Sequence, residues 1–299
     1  MAFHPSKNPK ERITALLESL SSKRIEVNMI RFSGPDLDHL DNRLMSLELV
    51  HQGLTEAVLF GTNHTVLHAS DSLYHKQLFV LRGTFRPVTN TNLEVLTKGL
   101  AQFKKHPLYD GKETETLFEI TMNNLARTGE IDNEDFLHRV DTLNTLGYKV
   151  LISKFYLFYQ MKSFLRLCTN ELIGISAGAS LLEKMFEPSF YKSLPGGMLE
   201  GFSRLFDEKT HLFVHPFQSE KGLMTAQTFK PEPKISHLYQ HVLANDFITD
   251  VQGCEKVDTS IHSEDVRVML SQGSKKWKDL VPKAARELIE SRQLFGYKP

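Results

Sequence analysis

From Gln77 onward the chain alternates short apolar runs with stretches of helical period. The runs are Leu78 to Leu81, Leu117 to Ile120, Val150 to Ile152, Leu172 to Ile175 and Leu212 to Val214. Apolar strands separated by helical segments predict a parallel sheet with helices on both faces. Ligands in such sheets sit beyond the carboxyl ends of the strands, where the strand order reverses. At 299 residues the chain can bury a core of that kind.

Residues 1–75 have a different texture. Apolar residues recur at helical spacing from Glu11 to Leu20, Ile25 to Phe32 alternates as a strand does, and Ser33-Gly34-Pro35 is a turn. A helix from about Leu37 to Gly53 follows, then a hairpin of Ala57 to Phe60 and Thr65 to His68 around Gly61-Thr62-Asn63. The reading is a small N-terminal α/β appendage, 1–75, ahead of one larger domain, 76–299.

Acidic and basic side chains balance at 36 each, in a chain that is 24 % charged and 40 % hydrophobic. A zero net charge argues against a general nucleic-acid binder and leaves room only for a local basic pocket. Cys168 and Cys254 are the only cysteines and have no C-x-x-C partner, so a reducing, cytoplasmic setting is expected. No apolar run approaches the length of a membrane span, and the polar start from Met1 to Arg12 does not read as a secretion signal.

The first apolar strand leads into Arg82-Gly83-Thr84-Phe85-Arg86-Pro87-Val88-Thr89-Asn90-Thr91-Asn92-Leu93, and Leu93 to Phe103 then has helical period. A strand, a glycine loop and a helix start form a natural phosphate cradle: Gly83 permits close backbone approach, Pro87 stiffens the loop, and helix N–H groups favour an anion. Arg82 and Arg86 would add charge. This segment resembles the nucleotidylyltransferase family, especially the nicotinamide and nicotinate mononucleotide adenylyltransferases, whose first loop reads G-[ST]-F-[DN]-P-x-[HT]-x-G-H-L. Gly83, Thr84, Phe85, Pro87, Thr89 and Leu93 match. Arg86, Thr91 and Asn92 depart, the last replacing a phosphate-contacting histidine.

Other landmarks follow in the family's order. Phe118 to Thr121 with Asn123-Asn124 is similar to the second strand and its polar turn, and Asp132 to Arg139 to the next helix. Gly178-Ala179-Ser180 stands where the family has G-A-D, and Phe186 to Tyr191 continues the likeness. Ile261 to Arg267 resembles the triphosphate-binding I-S-S-T-x-[IV]-R, keeping Ile261, Ser263, Val266 and Arg267 but substituting His262 and Glu264. Trp277, Leu280 to Pro282 and a last helix ending near Phe295 complete it.

The resemblance implies a Rossmann-like α/β fold. It also implies an ATP-using adenylyltransferase of NAD-biosynthetic type that joins a mononucleotide-like phosphate to ATP and releases pyrophosphate, with Mg²⁺ carried on the phosphates. Its partner would be a small-molecule nucleotide, with homo-oligomerisation left open. The family's pattern places Asn92, Arg267 and Arg86 as catalytic residues. Gly83, Thr84, Phe85, Thr89, Asn92, Gly178, Ser180, Ser263 and Arg267 would hold the nucleotide. Such a transfer needs alignment and charge stabilisation rather than a protein nucleophile. Asn92 supplies a neutral donor where the family has a charged one, and charge-assisted bonds are roughly twice as strong. Arg82, Arg86 and Arg267 are the compensating cations. The substitutions at 91, 92 and 180 support an alternative, a nucleotide-sensing or scaffold protein without turnover.

Rival motifs carry bland readings. Gly174-Ile175-Ser176-Ala177-Gly178 fits the hydrolase elbow G-x-S-x-G, with Ser176 as nucleophile, but reads better as a small-residue turn packing a helix against the sheet. His237 and His241 share a helix face without the glutamate of a metalloprotease, so no metal site is assigned. His211 and His215 read as polar residues near the sheet's edge. Phe155, Tyr156, Phe158, Tyr159 and Phe164 could stack on a base, though their helical spacing reads as core packing, and Lys275, Lys276 and Lys278 either meet phosphate or form a solvated helix end.

Overall fold

The structure, a computed structural model, describes residues 9–15, 26–126, 130–219, 222–254, 257–259 and 261–299. The strands are β1 (Ala57–Phe60), β2 (Val66–Leu67), β3 (Gln77–Arg82), β4 (Thr114–Thr121), β5 (Lys149–Ser153), β6 (Ile173–Gly178), β7 (Thr210–His215), β8 (Phe217–Ser219), β9 (Gly222–Met224) and β10 (Ile248–Asp250). The helices are α1 (Pro9–Ala15), α2 (Asn42–His51), α3 (Ala69–Leu73), α4 (Asn90–Phe103), α5 (Met122–Leu125), α6 (Asn133–Thr145), α7 (Phe158–Cys168), α8 (Ser180–Met185), α9 (Gly197–Leu205), α10 (Ser236–Ala244), α11 (Ser263–Ser271) and α12 (Lys283–Arg292).

Among the described residues one sheet of eight strands runs in the order β10-β7-β6-β3-β4-β5-β1-β2. It is parallel from β10 to β5, with β1 antiparallel to β5 and β2 antiparallel to β1. Successive side chains of each strand go to opposite faces, which is why the strands read as continuous apolar runs. Phe79 and Leu81 of β3 join one core with Phe118, Ile120, Val150, Ile152 and Phe213, covered by α4, α6, α11 and α12. Leu78 and Val80 join the other with Leu117, Leu151, Ile175, Leu212 and Val214, covered by α7, α8, α9 and α10. The fold is therefore an α/β sheet with helices on both faces. From β3 the chain steps to β4 and β5, then returns to the other flank of β3 as β6, so the switch point lies between β3 and β6.

The boundary expected at 75/76 falls just before β3, and on its N-terminal side β1 and β2 continue the same sheet, with Val58 and Phe60 in the α4–α6 core. The helix expected from Glu11 to Leu20 is described only as Pro9–Ala15; its remainder lies outside the described residues. The strand expected at Ile25 to Phe32 is not formed at 26–32, and Ile25 lies outside the described residues. Here the Val27 N–H donates to the Leu54 carbonyl at 3.1 Å, and the Phe32 N–H to the Asn42 side chain at 2.6 Å. Val27, Ile30 and Phe32 pack on Met45 and Leu49 of α2, so the alternation serves a helix surface rather than a ladder. That helix starts at Asn42 rather than Leu37 because the Asp41 carboxylate caps it, accepting the Arg43 N–H at 2.8 Å.

β7, which carries His211 and His215, is the second strand from the β10 edge of the sheet. No helix among the described residues is long and apolar enough to cross a membrane.

Candidate functional site

The Gly83 loop leaves the carboxyl end of β3 and folds back on itself. The Phe85 ring turns under Gly83 so closely that a Cβ at 83 would come within 2.7 Å of it, which makes glycine the residue that fits. Phe85 itself is buried at φ 47°, its ring packed edge-on against Phe118 at 4.8 Å. Burial of a large aromatic offsets the left-handed backbone, which costs roughly 1–3 kcal/mol. The Asn124 side chain donates to the Gly83 carbonyl at 3.2 Å, tying the loop to the polar turn after β4.

α4 then starts with its N-terminus largely satisfied by protein. Thr89 is the N-cap and forms a capping box with Asn92: the Thr89 N–H donates to Asn92 Oδ1 at 2.9 Å, and the Asn92 N–H to Thr89 Oγ1 at 3.3 Å. The Asn90 N–H donates to the Leu280 carbonyl at 2.8 Å. The helix start expected to offer N–H groups to an anion thus has two of its early donors engaged. Because the Asn92 oxygen is held by the cap, any hydrogen bond from this side chain to a ligand comes from its NH₂ end.

Across from the loop stands the start of α11, capped at His262. Between them opens a cavity of about 620 Å³ lined by Gly83, Thr84, Phe85, Arg86 and Asn92 on one side and by Ile261 to Asp265 on the other, with Asn124 and Arg139 at its base. Two segments 180 residues apart in the chain, singled out by the same resemblance, wall one space.

The charges in that wall are paired. Arg86 Nε donates to Asp135 Oδ1 at 2.5 Å, and Arg139 of α6 donates to the other oxygen of the same carboxylate through Nε at 2.7 Å. Arg139 is 1 % exposed and also donates to the carbonyls of Asn124 at 3.0 Å and Thr84 at 3.4 Å, so it staples the loop to α6. Burial pulls its guanidinium below the usual value, opposed by Asp135. Arg267 donates to Glu264, one turn earlier on α11, at 2.5 and 2.9 Å, and does not line the cavity. That contact raises the Arg267 pKa.

Arg82 departs from its expected role as a phosphate cation. Its guanidinium is bidentate on Glu119 at 2.6 and 2.9 Å, donates to the Tyr156 carbonyl at 3.2 Å and lies 4.5 Å over the Phe158 ring. Glu119 is fully buried and also accepts the Ser153 hydroxyl at 2.6 Å. The pair is a strut separating two further cavities, each of which Arg82 touches.

One cavity, about 310 Å³, shares Gly83, Thr84 and Asn124 with the first and is walled by Phe155, Tyr156, Phe158 and Phe190, with Lys184 at its rim. Tyr156 is 54 % exposed and meets Phe190 at 5.4 Å. The aromatic run is therefore partly core, as at Tyr159, and partly cavity wall. The other, about 280 Å³, shares Asn92, Ile261 and His262 with the first and reaches over the switch point to Gly178, Ser180 and His215. Thr89 lines none of the three and acts as a buried cap.

The rival sites do not form. Ser176 lies inside β6, paired with Leu81 and Phe213 of its neighbours, fully buried with an unpartnered hydroxyl; there is no elbow and no exposed nucleophile. His237 and His241 lie on α10, where the Asn245 side chain approaches His241, and no group of three His, Cys, Asp or Glu among the described residues could hold a metal. Trp277, within the basic cluster, is buried against Tyr297.

Sequence reasoning missed Asp135, Arg139 and Glu119 as parts of this site. Asp135 and Arg139 stand at i, i+4 on a helix, a pattern that reads as a solvated ion pair, and the neighbouring Phe136 and Val140 were the available sign of burial.

Fold and site together define an α/β protein with a glycine loop and a polar cavity at the switch point of a parallel sheet. No family profile and no curated protein matches the chain. Among solved structures it is similar to Plasmodium falciparum nicotinic acid mononucleotide adenylyltransferase complexed with APC, at 15 % identity and a TM-score of 0.43, over 75 % of this chain and 99 % of that one. The same protein complexed with NaAD gives 14 % identity and a TM-score of 0.42, with the same coverage. The fold assignment stands on the strand order itself.

Proposed function

We propose that this chain binds a nucleoside triphosphate across the Gly83 loop and the start of α11, and transfers its nucleotidyl group to the phosphate of a mononucleotide-like acceptor. The observation that carries the reading is the junction of the cavities. The roomiest of the three, between Gly83 and Ser263, shares Gly83, Thr84 and Asn124 with the aromatic slot of Tyr156 and Phe190, and Asn92, Ile261 and His262 with the pocket over Gly178 and Ser180. A triphosphate in the middle, its nucleoside over the switch point and a flat acceptor in the aromatic slot would place the acceptor phosphate beside Gly83, Thr84 and Asn124. In that arrangement the chain's own residues align and neutralise; the acceptor phosphate is the nucleophile. The Asn92 NH₂ and the N–H groups of the loop would be the donors, and Mg²⁺ would arrive on the phosphates.

A specific observation favours the second reading, a nucleotide-binding protein without turnover. Arg86 and Arg267 are both engaged by carboxylates, and Asn92 Oδ1 by the helix cap. The deciding experiment is pyrophosphate release from ATP and Mg²⁺ with nicotinamide or nicotinate mononucleotide, comparing wild type with Asn92→Ala and Asn92→His. Release that falls in both variants supports transfer. Absence of release beside measurable ATP binding supports the second reading, and absence of ATP binding removes both.

A further inference from the structure

The cavity over the switch point is walled partly by Leu81, Val95, Leu181, Ile261 and Phe217, apolar surface on which a flat heterocycle can pack, and partly by polar side chains, among them Arg82, Asn92, Ser180 and His262. One of its walls is an imidazole. His215 ends β7 with its ring against Gly178, where a Cβ would come within 3.2 Å of Nε2, so the ring depends on glycine at that place. Its Nδ1 is enclosed and meets no hydrogen-bond partner among the described residues. With Nδ1 shut away from any partner, Nε2 is the ring nitrogen left to meet a ligand. Burial pushes the His215 pKa down to about 4, so at neutral pH the ring is uncharged, with one N–H and one lone pair. An enclosed lone pair is tolerated better than an enclosed N–H. The proton therefore belongs on Nε2.

Resting on the reading of this cavity as the nucleoside end of the site, we propose that His215 selects the base of the bound nucleotide, its Nε2–H donating to a ring nitrogen or carbonyl oxygen on the base edge. The contact adds a directional element at the base edge beside the apolar walls of Leu81, Val95 and Leu181. It acts on the base alone and leaves the phosphates to the Gly83 loop.

The test is calorimetric titration of wild type, His215→Leu and His215→Gln with ATP and, separately, with inorganic tripolyphosphate, both with Mg²⁺. His215→Leu is expected to lose about tenfold in ATP affinity, the size of one neutral hydrogen bond, with tripolyphosphate binding unchanged. His215→Gln, whose amide nitrogen reaches toward the Nε2 position, is expected to recover part of the loss. Should His215→Leu not fold, His215→Asn, whose shorter amide does not reach the Nε2 position, is expected to show the same selective loss. Unchanged ATP affinity in a folded variant, or equal losses for both ligands, overturns the role of His215. Wild type that binds ATP but not tripolyphosphate overturns the phosphate assignment instead, while the ATP arm still decides the base contact; wild type that binds neither overturns both.

Discussion

Asn92 Oδ1 accepts the backbone N–H of Thr89 at 2.9 Å, so the residue that replaces a phosphate-contacting histidine in the resembled motif also holds the first turn of α4. Thr89 is 1 % exposed, and without that acceptor its N–H would be buried and unpaired. Asn92→Ala is expected to lower stability by about 1–2 kcal/mol, whereas Asn92→Asp keeps the acceptor and complements the helix dipole. The aspartate should nonetheless weaken tripolyphosphate binding by placing a negative charge at the cavity. Thermal melts and titration of the two variants check this; equal melting of Ala and wild type would deny the cap.

Asp135 is the hub of the loop's attachment, shared by Arg86 and Arg139. Asp135→Ala leaves Arg139 buried without its carboxylate and is expected to destabilise by about 3–5 kcal/mol. Arg86→Met leaves the Asp135–Arg139 pair in place and should cost about 1 kcal/mol. Urea denaturation ranks them, and equal costs would show that Arg86 rather than Asp135 organises the cluster.

Glu264 holds Arg267 and faces the same cavity as Ser263. Glu264→Gln removes that carboxylate's charge and releases the guanidinium toward an anion. Tripolyphosphate affinity is expected to rise about three- to tenfold, with a steeper salt dependence, in line with a charge-assisted bond. Arg267→Ala alone should then have little effect in the wild-type background and a clear one in Glu264→Gln. Identical responses to Arg267→Ala in both backgrounds would contradict the latch.

Ser176→Ala deletes a fully buried hydroxyl that has no partner among the described residues. Stability is expected to stay within about 1 kcal/mol of wild type or rise, and any esterase side activity should be untouched. A variant that lost measurable hydrolysis would restore the serine as a nucleophile.

His215 makes stability pH-dependent. Its pKa falls from an ordinary 6.5 to about 4 on folding, because burial disfavours the charged ring. Between those values the unfolded chain binds a proton that the folded chain refuses, so stability falls as the pH drops from 6.5 toward 4 and levels off below. The loss attributable to this residue reaches about 3 kcal/mol. The stability of wild type relative to His215→Leu should fall as the pH drops through that window; parallel melting curves would place the acid sensitivity elsewhere.

The parallel sheet was legible because strands buried on both faces must be apolar along their whole length, and Val80, Leu117, Leu151 and Ile175 obey that rule. β10 was not, since Ile248 is its only fully apolar residue and its pairing with Leu212 to Val214 is set by tertiary position. The loop at Gly83 and the turn at Ser263 were legible as motifs, and one cavity does gather them. Their charge state was not. Whether an arginine points at a ligand or a carboxylate depends on a residue such as Asp135 or Glu119 brought from another element, and nothing local in Arg82 or Arg86 records it.

The antiparallel pairing of β1 with β5, from Ala57 opposite Ser153 to Phe60 opposite Val150, governs how this protein tolerates truncation. Cut before β3, the sheet would end at β5, a rim of unpaired N–H and C=O groups flanked by Val150 and Ile152. Such a rim templates edge-to-edge polymerisation. On this flank, among the described residues, the sheet ends instead at β2, two residues long, too short to zip onto a neighbour. Solubility of a shortened protein would thus fail before its cavities did, and the N-terminal segment serves as a built-in stopper.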